Sequence, residues 1–152
     1  MIISLGLDQH AVHLKGVIVK YIEGYGFEVL DRCVGDDTQV DYTDIARKVA
    51  KDIRTMQANF GVLMCYTGNG MAIAANKFQG IRAALVHTSE NTMLARAHID
   101  ANVMCVGSAY ITSEKLRELI DIFFRTEFSS SEHERELSKI VQIEFGQFMT
   151  KL

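Results

Sequence analysis

The chain alternates short apolar runs with longer stretches in which apolar residues recur every three or four positions. Unbroken apolar runs are typical of strands buried in a parallel sheet, and the longer spacing is typical of amphipathic helices. The pattern predicts five strands, at Ile2–Leu7, Glu28–Asp31, Phe60–Cys65, Arg82–Val86 and Val103–Val106. It predicts helices at 11–24, 41–56, 70–77, 89–98, 113–125 and 132–148. This alternation indicates an α/β fold with a mostly parallel sheet.

No proline, repeat or linker-like segment divides the 152 residues. The length suits one folded unit, so residues 1–152 are expected to form a single domain. The last predicted helix carries an apolar stripe, formed by Leu137, Ile140, Val141, Phe145 and Phe148. Such a stripe packs either on its own domain or on a second subunit, and the pattern leaves both arrangements open.

The composition narrows the class of partner. A net charge of −3 argues against binding to nucleic acid or to an anionic membrane surface, both of which favour basic proteins. The N-terminal apolar run is too short for a signal segment or a membrane span. The cysteines, Cys33, Cys65 and Cys105, are far apart, and no metal-type spacing of Cys and His occurs. We therefore expect reduced thiols and a cytoplasmic protein.

Polar and glycine residues follow four of the predicted strands, at the edge of the sheet where parallel α/β proteins bind ligands. They are Asp8, Gln9 and His10; Cys65, Tyr66, Thr67, Gly68, Asn69 and Gly70; His87; and Gly107 and Ser108. The third-strand group is the most informative, because its two glycines stand directly before a predicted helix. Backbone N–H groups there favour an anion, either a phosphate or a developing oxyanion. A plain strand-to-helix turn has the same spacing.

Two side chains have candidate roles in proton transfer. Cys65 lies at the mouth of the glycine turn, where a helix N-terminus stabilises a thiolate. A lone cysteine is otherwise a small buried hydrophobe, which is the interpretation we give to Cys33 and Cys105. His98 ends a predicted helix, where histidines also serve simply to offset the helix dipole.

The segment 61–77 continues from this strand through Cys-Tyr-Thr-Gly-Asn-Gly into a small-residue stretch that ends in Ala-Asn-Lys. It resembles the central motif of the ribose-5-phosphate isomerase B and galactose-6-phosphate isomerase family, an apolar strand followed by Cys-Gly-Thr-Gly-x-Gly and a similar helix. Further similarity lies at 80–85, 94–98 and 100–103, and at Asp8, Lys15 and Asp41-Tyr42. The resemblance covers the chain from Ile2 to about Ile140.

The resemblance implies a Rossmann-like three-layer sandwich with a five-stranded parallel sheet. It also implies a homodimer, or a dimer of dimers, with active sites at the subunit interface and a C-terminal helix packed on the partner. The implied reaction moves a proton between C2 and C1 of an open-chain sugar through a cis-enediolate. No metal and no organic cofactor is implied.

The resemblance also assigns roles by motif position. Cys65 would take the C2 proton, and the amides of Gly68 to Gly70 would stabilise the enediolate oxygen. Thr67 and His98 would assist ring opening, with His98 moving a proton at the ring oxygen. The other implied substrate-binding residues are Asp8, Gln9, His10, Tyr66, Asn69, Asn76 and Ile99.

The chain departs from the family where a substrate phosphate would bind. The family often has arginine at position 109, which is Ala109 here, and its C-terminal arginine pair is replaced by Glu132 and Glu136. A carboxylate repels a phosphate that a guanidinium would bind. His133 and Arg135 are the remaining candidate phosphate contacts. Gln9 stands where the family has a histidine after the aspartate, and His10 follows it instead. Tyr66 and Ile99 make the pocket bulkier and less polar.

These departures leave alternatives open. The first is an isomerase for a sugar or sugar phosphate other than ribose 5-phosphate, including unphosphorylated sugars. The second is a non-catalytic subunit of a hetero-oligomeric galactose-6-phosphate-type isomerase, in which an unlike homologous subunit supplies the arginines. A third is a sugar-binding module without turnover, which has no need of a reactive thiol.

Overall fold

The sheet runs through the centre of the molecule. The computed structural model describes residues 1–35 and 40–146. Its strands are β1 (Ile2–Leu7), β2 (Glu28–Asp31), β3 (Phe60–Cys65), β4 (Ala83–Leu85) and β5 (Val103–Gly107). All neighbouring strands are parallel, in the order β2-β1-β3-β5-β4. The predicted five-stranded parallel sheet is confirmed.

The helices follow the predicted alternation. They are α1 (Lys15–Glu23), α2 (Tyr42–Arg54), α3 (Asn69–Ala75), α4 (Ser89–Ile99), α5 (Ser113–Arg125) and α6 (Ser130–Glu144). The first helix begins later than predicted, because a 3₁₀ turn at Val12–Leu14 precedes it. Residues 147 and 148 of the last predicted helix, with Phe148, lie outside the described residues.

Helices cover both faces of the sheet. Side chains of α1, α4 and α5 pack on one face in a core that includes Leu5 and Leu7. Helices α2 and α3 pack on the other face, where Gly6 gives α2 close access to the sheet. A Cβ at Gly6 would lie 2.6 Å from the Ile45 side chain and 2.9 Å from the Val49 side chain. The predicted three-layer sandwich is therefore confirmed.

Helix α2 begins at a capped N-terminus. The Asp41 carboxylate accepts hydrogen bonds from the backbone N–H of Thr43 at 2.8 Å and of Asp44 at 3.2 Å. These bonds, with one from the Thr43 hydroxyl, satisfy N–H groups that the helix itself leaves unpaired.

Helix α6 is the least buried element. Its described side chains include none that is fully buried, and Ile140, Val141, Ile143 and Phe145 just after the helix are 39–64% exposed. It contacts the body of the domain chiefly through α4. Packing of this helix on a partner subunit stays a prediction. Within the described residues, none of the helices is long and apolar enough to cross a bilayer.

Candidate active site

The turn after β3 shapes the backbone around Cys65. Gly68 has φ +79°, and a Cβ there would lie 2.5 Å from a Leu85 methyl and 2.9 Å from the Val106 carbonyl carbon. Only glycine fits this left-handed, closely packed position. The turn aims the backbone N–H of Gly68 at the Cys65 sulfur, at an N···S distance of 3.2 Å. That donor stabilises negative charge on the sulfur.

The other residues of this turn make close contacts beside Cys65. The Thr67 hydroxyl accepts a hydrogen bond from the Asn69 backbone N–H at 3.3 Å. Gly107, the β5 partner of Cys65, has no room for a side chain, because a Cβ would lie 2.7 Å from the Thr67 carbonyl oxygen. The predicted residues Cys65, Thr67, Gly68, Asn69 and Gly70 therefore lie together at the carboxyl edge of the sheet.

The loop after β1 adjoins this turn. The Asp8 backbone N–H donates to the Met64 carbonyl at 3.1 Å, which joins the ends of β1 and β3. The buried Asp8 carboxylate accepts the His10 backbone N–H at 2.8 Å and lies 3.2 Å from its Nδ1. The His10 ring lies 5.6 Å from the Tyr66 ring, while Gln9 is exposed. These residues therefore form one wall of the candidate site.

The cysteines differ in their surroundings. Burial, with Asp31 adding to it, raises the pKa of the Cys33 thiol to about 12. Burial also raises the pKa of Cys105, which is completely enclosed. Both stay protonated at neutral pH. Cys65 alone has its sulfur at the candidate site with a backbone N–H directed at it.

His98 lies at the opposite end of the sheet. Helix α4 runs back from the carboxyl edge, and its 11 residues span about 16 Å. Its C-terminus contacts the start of the strands, since Arg82 donates to the Ile99 and Asp100 carbonyls at 3.1 and 2.8 Å. One chain therefore does not bring His98 and Ile99 to its own Cys65.

His98 instead meets the C-terminal helix. The rings of His98 and His133 are in contact, with centroids 3.9 Å apart and planes tilted by 30°. The Ser129 N–H donates to the Ala97 carbonyl at 2.8 Å and fixes the start of α6 there. The exposed Arg135 lies on this helix, so both candidate phosphate contacts accompany His98 rather than Cys65.

Asn76 has both amide groups occupied. Its side chain donates to the Ala83 carbonyl at 2.8 Å and accepts the Ala83 N–H at 2.7 Å. These bonds tie the end of α3 to the edge strand β4, and sugar binding by Asn76 stays a prediction.

The sequence did not predict how α4 ends, at Asp100 and its ion pairs. Asp100 adopts φ +45°, which is rare for a residue other than glycine. Its carboxylate binds the guanidinium groups of Arg82 at 2.8 Å and of the buried Arg96 at 2.6 Å. The Arg96 group also lies 4.7 Å from the Phe60 ring centre. The only sequence signal was a cluster of charged residues around the predicted helix end, which a solvated surface would also show.

Comparisons with known proteins identify the family and the fold of the chain. Residues 3–140 match the Ribose/Galactose Isomerase family. The chain belongs to this family. The predicted family and class of enzyme, an aldose–ketose isomerase, are confirmed at that level.

Named relatives cover almost the whole chain. A protein named probable ribose-5-phosphate isomerase B from Mycoplasma pneumoniae is 37% identical over 93% of this chain and 94% of its own length. Ribose-5-phosphate isomerase B of Escherichia coli is 32% identical over 93% and 95%. The Clostridium thermocellum ribose-5-phosphate isomerase B structure has a TM-score of 0.92 and 33% identity, covering 97% of this chain and 99% of its own. A Mycoplasma genitalium enzyme solved with bound ribulose-5-phosphate has a TM-score of 0.86 and 33% identity, over 95% and 96%.

Proposed function

We propose that this isomerase moves a proton between C2 and C1 of an open-chain sugar or sugar phosphate through a cis-enediolate. The observation that carries the proposal is the Cys65 sulfur, held 3.2 Å from the Gly68 N–H at the head of α3. As a thiolate, Cys65 takes the proton from C2 of the aldose and returns it to C1, while the enediolate oxygens exchange a proton. The backbone amides of Gly68 to Gly70 stabilise the oxygen on which charge develops.

Ring opening uses two further residues. Thr67 lies beside Cys65 in the same turn, and its hydroxyl orients the anomeric oxygen of the sugar. His98 moves the proton at the ring oxygen. These steps transfer only protons between side chains and sugar, so they need neither a metal ion nor an organic cofactor.

The site is completed by a second copy of the chain. His98 lies at the opposite end of its own sheet from Cys65, which supports His98 acting in the site of a neighbour. The exposed apolar residues on and after α6 support the same arrangement, because a partner subunit would cover them. In this homodimer, His98, Ile99, His133 and Arg135 of one copy face Cys65 of the other.

The substrate of this site differs from ribose 5-phosphate. The solvent-exposed Glu132 and Glu136 lie on α6, within one turn of His133, and Ala109 offers no charge. A phosphate placed against these carboxylates would be repelled, whereas sugar hydroxyls donate hydrogen bonds to them. A sugar with a different distal end, phosphorylated elsewhere or not at all, fits these groups better.

Hydrogen–deuterium exchange tests the proposal directly. The purified protein is incubated in deuterated water with a panel of aldoses, ketoses and their phosphates, and proton NMR follows isomerisation and loss of the exchanging proton signal. We expect exchange with one sugar or a small group of sugars, and Cys65→Ala to lower its rate about 10²- to 10⁴-fold. Cys33→Ala is the matched control and keeps the activity, because its thiol is protonated at neutral pH. Exchange that survives Cys65→Ala would rule out Cys65 as the base.

The carboxylates on α6 favour one second candidate. The chain would then be a non-catalytic subunit of a hetero-oligomeric galactose-6-phosphate-type isomerase, with the phosphate-binding arginines supplied by an unlike homologue. Absence of exchange by the pure protein, with activity restored by a copurifying homologue, supports this candidate. Activity of the protein alone excludes it.

A further inference from the structure

Four described segments at the carboxyl edge of the sheet carry no strongly basic side chain. The segments that follow β1, β3, β4 and β5 are 8–11, 66–68, 86–88 and 108–112, and none contains lysine or arginine. The nearby cations are engaged elsewhere. Arg32 binds the Asp52 carboxylate at 2.8 and 3.0 Å, and Lys15 pairs with Asp31. These four segments and the two paired cations therefore offer no free guanidinium or ammonium group to a charged substrate end.

Two aromatic side chains, Tyr66 and His10, lie in these segments at the carboxyl edge of the sheet. Tyr66 directly follows Cys65, is 56% exposed, and has its ring centre 5.6 Å from that of His10. The backbone on both sides is fixed, since the Ala109 N–H donates to the Tyr66 carbonyl at 3.0 Å and Asp8 holds His10 by two contacts. The backbone that carries the exposed Tyr66 ring is thus fixed beside Cys65.

Both rings have an unused polar end. Among the described residues, neither the Tyr66 hydroxyl nor the His10 Nε2 has a hydrogen-bond partner. The contacts among the described residues therefore leave both groups available. Ring faces contact the C–H surface of a sugar, and a phenol and an imidazole nitrogen pair with its hydroxyls. Aromatic surface with a few placed polar groups is the usual composition of a small-molecule site.

We propose that Tyr66 and His10 form the subsite for an uncharged, hydroxyl-bearing end of the sugar, and that Tyr66 makes the enzyme prefer the free sugar over its terminal phosphate. This inference rests on the proposed isomerase function and adds the chemical class of its substrate. The ring contributes by binding, while proton transfer stays with Cys65.

Substrate selectivity of Tyr66 variants tests the inference. For each accepted aldose and its terminal phosphate, kcat and KM are measured for the wild type, Tyr66→Ala and Tyr66→Phe. Loss of the ring is expected to lower kcat/KM for the free sugar about tenfold, mainly through KM, and to lower it much less for the phosphate. Tyr66→Phe keeps the ring but loses the hydroxyl, so its kcat/KM for the free sugar is expected to lie between those of the wild type and Tyr66→Ala. An equal fall for both substrates, or a wild type that prefers the phosphate, would overturn the inference.

A binding measurement separates this inference from the proposed function. Sugar alcohols cannot be isomerised, so ribitol and galactitol report binding without turnover in ligand-observed NMR. If no sugar is isomerised, binding by the wild type that is lost in Tyr66→Ala still supports the subsite. If the wild type isomerises sugars and these polyols bind equally to Tyr66→Ala, the isomerase stands and the subsite does not. Absence of both activity and polyol binding would overturn both.

Discussion

The two ends of the sheet differ in how completely one chain builds them. At the carboxyl edge, Cys65, the glycine turn and Asp8 are fixed by short backbone contacts within the same chain. At the opposite end, the position of His98 is well fixed, yet it faces α6, a helix without a fully buried described side chain. We call the first the finished end, because contacts within one chain fix its candidate site residues. We call the second the open end, because α6 leaves apolar side chains exposed there, which a partner would cover in the proposed dimer.

The strongest test of this difference mixes two inactive variants. We expect Cys65→Ala and His98→Ala each to lose about 10²- to 10⁴-fold in activity, since each removes a proton-transferring group. Random pairing in a two-fold symmetric dimer leaves one intact site in each mixed dimer, so co-refolded variants should recover about a quarter of wild-type activity. Each variant refolded alone is the control. No recovery in a mixture with proven subunit exchange would mean that the two residues act within one chain.

Stability tests the finished end. Gly68→Ala adds a methyl group to a left-handed position with atoms 2.5 to 3.0 Å away. We expect a loss of about 3 kcal/mol in the free energy of unfolding, from backbone strain and overpacking together. Gly80 has the same φ of +79° but open space around its Cβ position. Gly80→Ala should therefore cost only about 1–2 kcal/mol. Equal losses in urea unfolding would show that the turn is not closely packed.

Association tests the open end. Ile143 on α6 is 64% exposed in the single chain. If a partner covers it, Ile143→Asp should weaken dimerisation about tenfold or more, because it buries a charge in place of an apolar side chain. Light scattering over a range of concentrations measures this. Gln142→Asp introduces the same charge next to it on an already polar position and should change the dimer much less. A dimer insensitive to Ile143→Asp would place the interface elsewhere.

The smallest expected effect is on the stability of the fold and concerns Asp41, the N-cap residue of α2. Hydrogen bonds from the Thr43 hydroxyl, and from the N–H groups of Thr43 and Asp44, lower the pKa of Asp41. Because the pKa of Asp41 is lower in the folded state than in the unfolded chain, its ionised carboxylate stabilises the fold at every pH above the unfolded pKa. This stabilisation is lost as the pH falls through the folded pKa. The difference in unfolding free energy between wild type and Asp41→Ala should therefore shrink as the pH falls below about 4. Asp41→Asn keeps an uncharged acceptor, so its difference from Asp41→Ala should not shrink in this way.

Sequence patterns predicted the fold because short apolar runs alternate with longer amphipathic stretches along the whole chain. The ends of β1 at Leu7 and of β3 at Cys65 were predicted correctly. The residues that follow each strand therefore lie at the carboxyl edge of the sheet, as predicted. The position of His98 relative to Cys65 was not predictable from local pattern, because it depends on the direction in which α4 returns across the sheet. The ion pair between Arg82 and Asp100 was missed for a similar reason, because it joins two separate segments. The 3₁₀ turn before Lys15 was missed although its contacts are local.

The bonds between Asn76 and Ala83 also bear on how this protein avoids aggregation. Strand β4 is an outer strand of the sheet, and outer strands offer unpaired N–H and C=O groups to other chains. The Asn76 amide occupies both backbone groups of Ala83, the first residue of a three-residue strand. One side chain thus takes the place that a neighbouring strand would fill. An edge this short, with its first residue already paired, is a poor template for the growth of an intermolecular sheet.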